Sequence, residues 1–166
     1  KWRVLAIEGT EAFLLADKVL DAQQYNTVYK EAITWEESTI RSWLNGYGAS
    51  SNIQNKDYSK KNFINTAFGI SEQQAVKETL VDNKNTVSGK INGGNNTNDK
   101  VFFLSALETY TDNANAYGFI SNPYKYDEAR RSGSSVYAKA MGTYNYVFPQ
   151  RYMGNCNWWL RSPQRQ

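Results

Sequence analysis

The chain contains no histidine in 166 residues, which removes Ser-His and Cys-His nucleophile pairs, imidazole general bases and His-ligated zinc in one step. It has a single cysteine, Cys156, so neither an intrachain disulfide nor a cysteine-cluster metal site is available. With Trp158 and Trp159 close by and no base nearby in sequence, Cys156 reads as a small buried hydrophobe rather than a reactive thiol. No apolar run approaches the roughly 20 residues of a membrane-spanning helix, so membrane insertion is not expected. Charge of one sign is also scarce. The 19 basic and 16 acidic residues give a net charge of +3 and are spread along the chain, without the dense basic patch that nucleic-acid binding requires. Lys60-Lys61 and Arg130-Arg131 read as solvated pairs. Carboxylate, lysine, tyrosine or lone-cysteine chemistry is all that remains for catalysis.

What is present is the material of a folded domain. A chain of 166 residues buries roughly 70% of its unfolded surface around one core, and its 40% hydrophobic and 14% aromatic content is incompatible with disorder. The expectation is a single domain over residues 1–166. Lys1-Trp2-Arg3-Val4-Leu5 opens the chain inside a strand-like pattern, as an excised domain would. Arg3 to Ile7 and Ala12 to Ala16 flank Glu8-Gly9-Thr10-Glu11, which predicts a β-hairpin. Asp17 to Tyr29 has no apolar period and reads as irregular.

Thr34-Trp35-Glu36-Glu37 has the form of a capping box and predicts a helix starting there. Ile40, Trp43 and Leu44 would lie on its inner face, and Asn45-Gly46 would end it. Arg41, four residues after Glu37, is expected to pair with it on the helix surface. Gly48 to Lys61 reads as a surface insertion, and Phe63, Ala67 and Phe68 mark a short amphipathic segment. Ser71-Glu72-Gln73-Gln74 predicts a second capped helix, followed by a strand-like Thr79-Leu80-Val81. Asp82 to Lys100, with Gly89 and Gly93-Gly94, reads as a long loop. Val101-Phe102-Phe103-Leu104 predicts a strand buried on both faces, and Ser105-Ala106-Leu107-Glu108 a third helix start. Ser135 to Met141 is a short helix closed by Gly142. Short helices, scattered strands and long loops make the class α+β rather than alternating βαβ units.

Four segments carry a family resemblance: Trp2-Arg3-Val4-Leu5; Thr34-Trp35-Glu36 with Ile40-Arg41-Ser42-Trp43-Leu44-Asn45; Asn98-Asp99-Lys100-Val101-Phe102-Phe103-Leu104-Ser105; and Trp158-Trp159-Leu160-Arg161-Ser162-Pro163. Together they resemble a bacterial family known only as a domain of unknown function and related to the C-type-lectin-like and formylglycine-generating-enzyme-like folds. The resemblance implies a small twisted antiparallel sheet, short flanking helices and long binding loops, in a surface or secreted protein. No activity comes with it. Relatives continue past Ser-Pro into further strands, whereas only Gln164-Arg165-Gln166 follow here. If those strands are absent, the hairpin edge is expected to take a partner strand or to drive homo-oligomerisation.

The functional expectation is a non-enzymatic, extracellular or cell-surface module that binds a glycan or a protein. Tyr144, Asn145, Tyr146, Arg151, Tyr152, Asn155 and Asn157 are the candidate ligand-binding residues, because aromatic faces stack on sugar rings while amides and guanidinium groups bond hydroxyls or carboxylates. Trp35, Trp43, Trp158, Trp159 and Arg161 are expected to be structural core, with Arg161 stacked on an indole and paired to an acid of the first helix. The alternatives are a scaffold domain without its own ligand and a carboxylate-dependent hydrolase. An enzyme would use Glu36, Glu37, Asp99 or Glu108 as the hydrolase's carboxylates, or Cys156 in the oxidase-like role that the distant fold resemblance implies. Asn95-Asn96-Thr97-Asn98-Asp99 offers oxygen ligands for calcium, but one carboxylate in five residues and no EF-hand spacing favour a turn cluster. No cofactor and no metal are expected.

Overall fold

A computed structural model, describing residues 1–30, 32–84, 86 and 91–163, has α+β architecture with two short antiparallel sheets and a few short helices. Gly89 of the expected loop and the terminal Gln164, Arg165 and Gln166 lie outside the described residues. The chain divides into two compact units, Lys1–Gln23 with Ala106–Trp159, and Gln24–Ser105 with Leu160–Gln166.

The first unit opens with the hairpin. Strand β1 (Trp2–Glu8) pairs antiparallel with β2 (Glu11–Ala16), and the turn closes at the Glu8–Glu11 pair with Gly9 at φ 59°. Only glycine adopts that left-handed angle without steric cost, which is why the turn sits there. The register shifts between Val4 and Ala6, so Leu5 forms a bulge. Phe13 of β2 meets the edge of Tyr117 at 5.4 Å. Val19 bridges Ser134 in parallel, and Ser135 then caps α5 (Val136–Ala140), its Oγ accepting from the Ala138 amide at 3.0 Å. Helix α4 (Ala106–Tyr110) follows Ser105 directly, and the small core contains Ala106, Ala114, Phe119, Ala138 and Cys156.

In the second unit α1 (Thr39–Asn45) starts four residues later than Thr34 implies. Trp35 to Glu37 form a turn, and Ser38 is the N-cap: its Oγ accepts from the Arg41 amide at 3.3 Å. Gly46, at φ 72°, ends the helix. Because Glu37 precedes the helix, the expected i,i+4 pairing geometry with Arg41 does not arise, and Arg41 pairs with Asp99 instead. Helix α2 (Phe63–Ala67) is capped by Asn62, and α3 (Ile70–Ala75) starts one residue before Ser71. Its first free amide, that of Gly69, donates to Glu72 Oε2 at 2.8 Å, so Gly69 occupies the cap position expected for Ser71.

Strand β3 (Thr79–Val81) pairs antiparallel with β4 (Thr97–Asp99). Part of the segment read as loop and turn cluster is therefore a strand. Val101 to Leu104, conversely, is not a strand. Asn45 Oδ1 accepts from the Lys100 and Val101 amides at 2.9 and 3.0 Å, and its Nδ2 donates to the Val101 carbonyl at 2.9 Å. Arg161 takes the next carbonyls, its backbone N–H donating to Leu104 at 3.0 Å and its Nη1 to Phe103 at 2.7 Å. Side chains thus satisfy the backbone groups that a sheet ladder would otherwise pair. Trp35, Ile40, Leu44, Phe63, Ile64, Val81 and Leu104 form the core of this unit.

Candidate functional site

Two polar arrangements are candidates. The first is built around Asp99, which is 0% exposed on β4. Its Oδ1 accepts from Arg41 Nε at 2.8 Å and from the Tyr47 hydroxyl at 3.1 Å; its Oδ2 accepts from Trp35 Nε1 at 2.9 Å and from the Thr97 hydroxyl at 2.7 Å. Burial, followed by the Asp99 charge, pushes the Tyr47 hydroxyl up to about 12. Four donors on two oxygens leave this carboxylate no lone pair suited to a substrate or cation, so Asp99 holds the unit together and is unsuited to general acid–base work or to calcium. Trp35 is enclosed with it and packs on Phe103 at 5.4 Å.

Glu36 and Glu37 line an open polar cleft of about 430 Å³ with Thr34, Lys84, Asn92, Gly94 and Asn95. Both Glu36 oxygens are held by Asn95, whose amide N–H and Nδ2 donate at 3.0–3.1 Å. Glu108 lies in the other unit, on α4. Of the acids expected for hydrolysis, Asp99 and Glu36 are thus held in hydrogen bonds within the fold, and Glu37 lines the cleft beside Glu36.

The second arrangement, in the first unit, gathers most of the expected ligand-binding residues. The Tyr146 amide donates to the Asn155 carbonyl and the Gly154 amide to the Tyr146 carbonyl, both at 2.8 Å, which closes residues 147–153 into a loop. Asn145 braces its base: its Oδ1 accepts from Ser134 Oγ at 2.7 Å and its Nδ2 donates to the Gly154 carbonyl at 2.8 Å. Within the loop the Phe148–Pro149 peptide is cis and Gln150–Tyr152 form a 3-10 turn. Tyr144 meets Tyr146 edge-on at 5.6 Å, Tyr146 meets Tyr152 at 6.1 Å, and Tyr152 meets Tyr126 at 6.4 Å. The Tyr146 hydroxyl donates to Asn157 Oδ1 at 3.1 Å, and the Arg151 guanidinium lies 4.8 Å from the Tyr152 ring centre. Asn145 and Asn155 therefore serve the loop's own geometry, Asn155 returning its Nδ2 to the Tyr152 carbonyl at 3.2 Å.

Tyr126, Glu128 and Arg131 extend this row although the sequence did not single them out as site residues. The Tyr126 hydroxyl donates to Glu128 Oε1 at 2.8 Å, Arg131 Nη1 donates to both, and its guanidinium lies over the Tyr126 ring. That hydrogen bond holds the Tyr126 hydroxyl above its ordinary pKa and the Glu128 carboxyl below its own. The spacing Tyr126-x-Glu128-x-x-Arg131 was a usable signal. Arg130, read with Arg131 as solvated, is mostly buried: its Nε lies 3.3 Å from Asp127 Oδ2 and its Nη2 donates to the Asn122 carbonyl at 3.0 Å.

The terminal aromatic pair splits. Trp158 is partly buried and its Nε1 donates to the Arg130 carbonyl at 3.0 Å, whereas Trp159 is 52% exposed and is not core. From Cys156 to Trp159 exposure alternates residue by residue, as successive side chains of an extended chain point to opposite sides, so both indoles cannot turn inward. Trp43 is partly buried against the edge of Tyr58 at 5.7 Å. Arg161 is 5% exposed, but its partners differ from expectation. Its guanidinium lies 5.7 Å from the Phe102 ring centre and donates to the carbonyls of Phe103 and Asp82, in place of an indole and a helix acid. Helix α1, of sequence TIRSWLN, contains no acid to offer.

Cys156 is buried, its Sγ lies 3.4 Å from the Ser132 carbonyl, and burial pushes the thiol up. In the folded chain it should react with a maleimide on the order of tenfold or more slowly than in denaturant, because little thiolate forms and access is closed. Equal rates in the two conditions would show that the thiol is open.

The model of the family described as "Domain of unknown function (DUF6273)" matches residues 9–166. No curated protein and no solved structure matches the chain.

Proposed function

The chain belongs to the DUF6273 family, a domain of unknown function, and from its geometry we propose that it is a non-enzymatic ligand-binding module whose recognition surface is the tyrosine row of the first unit. The observation that carries this reading is the contiguous set Tyr144, Tyr146, Tyr152 and Tyr126, gathered at a loop braced by Asn145 and by the Tyr146–Asn155 backbone pair. Tyrosines present large amphipathic area with few rotamers to freeze, and a braced loop loses less entropy on binding. The ligand class is a glycan or a protein. Small antiparallel sheets with short helices and long ordered loops support a C-type-lectin-like relation. An extracellular or cell-surface location agrees with a recognition role. No described helix is long and apolar enough to cross a membrane.

Screening the chain against glycan and peptide arrays tests the reading. Replacing Tyr144, Tyr146 and Tyr152 together by Ala should weaken whatever binds by about tenfold or more. Tyr144→Ala alone, at the most exposed ring of the three, controls for loss of folding. Unchanged binding by both variants refutes the site.

A further inference from the structure

The loop carries more than tyrosines. Val147, Phe148 and Met153 are 61%, 74% and 50% exposed, so the loop offers apolar side chains next in sequence to the tyrosines of the row. Thr143 to Asn155, TYNYVFPQRYMGN, contains no acid and only one charged residue, Arg151. Among the described residues Arg151 has no carboxylate partner; its contact is the Tyr152 ring, whereas Arg131 is neutralised by Glu128 at 3.0 Å. Aromatic, Met and Arg enrichment with few other charges is the composition of the centre of a protein–protein interface.

A sugar needs open polar groups around a stacked ring, and here they are largely committed. Asn145 is used at both ends of its amide, Asn157 Oδ1 accepts from Tyr146, and Glu128 accepts from Tyr126 and Arg131. The Tyr144 and Tyr146 rings also stand at 78° to one another, a faceted surface rather than a flat platform. Exposed Val, Phe and Met side chains answer to apolar side chains of a partner, and an uncompensated guanidinium answers to a carboxylate.

Resting on the binding reading above, we propose that the ligand is a protein segment that combines apolar side chains with an acidic residue. The apolar side chains pack on Val147, Phe148 and Met153 against the tyrosine row, and the acid pairs with Arg151. Phe148 supplies the apolar anchor and Arg151 sets the charge preference.

The test is selection of a random peptide library displayed on phage against the whole chain, in parallel with a glycan array. Selected peptides should join an Asp or Glu to apolar residues. Phe148→Ser should weaken them about tenfold or more, and Arg151→Glu should redirect selection toward Lys- and Arg-containing peptides. Both substitutions are at exposed positions, and unchanged melting curves establish that the variants fold. Selected peptides without acids, or peptides indifferent to both substitutions, overturn the proposal. A glycan bound through the tyrosines with no peptide selected overturns it while sparing the binding reading; no ligand of either class overturns both.

Discussion

Asp99→Ala is expected to cost the chain about 3–5 kcal/mol, the penalty for breaking a buried ion pair from one side, and to lower its melting temperature by roughly 10 °C or more. The substitution removes the acceptor of four hydrogen bonds and leaves Arg41 charged without its counter-ion. Trp35, fully enclosed, would keep an indole N–H with nothing to bond. Asp99→Asn is nearly the same shape and is still damaging. An asparagine must present its NH2 either to Arg41 Nε–H or to Trp35 Nε1–H, and neither of those donors can turn round to accept. The Tyr47 and Thr97 hydroxyls can, so the Asn variant should be less harmed than Ala. Urea unfolding of the single variants and of a cycle with Arg41→Met checks this. The double variant should lose less than the two singles together, and additive losses would show that the pair is not coupled.

Arg161→Met carries the second large effect, about 2–4 kcal/mol, for a different reason. Its guanidinium donates to the carbonyls of Phe103 at 2.7 Å and Asp82 at 3.2 Å, and its own backbone ties to Leu104. Methionine fills much of the volume and keeps an apolar contact with Phe102, but leaves those two carbonyls without the charged donor. Arg161→Lys should lose less, about 1–3 kcal/mol, because an ammonium supplies a point donor where the planar fork reaches two carbonyls at once. Thermal melting ranks the three chains; a Lys variant as stable as the parent would show that the fork is dispensable.

These two residues also mark where sequence reasoning stopped. Asp99 sits in a run of Asn and Thr that resembles a turn, and the donors surrounding it come from Trp35, Arg41 and Tyr47, far away in sequence. Ser38 and Thr34 are both capable N-caps, and the Trp35–Glu37 turn decided between them. Val101 to Leu104 has the apolar composition of a buried strand. Its backbone is satisfied by Asn45 and Arg161 side chains, a choice invisible to periodicity. The tyrosine row was half legible: composition picks out Tyr144, Tyr146, Tyr152 and Arg151, but only folding sets Tyr126 beside Tyr152 and spends Asn145 on bracing.

Features set by neighbours in the chain were determined by the sequence itself. The hairpin turns at Gly9, α1 stops at Gly46, and α5 is capped by Ser135 because a backbone angle or a single side-chain oxygen decides each one locally. The lack of histidine, and a cysteine that cannot find a second thiol within the chain, likewise bound the chemistry before any fold was known. Which aromatic turned inward and which carboxylate was sealed off were decided by tertiary structure alone. Trp158 and Trp159 are chemically alike, and so are Asp99 and any exposed acid; the difference lies in how much surface the fold packs against each indole and how many donors distant segments bring to Asp99.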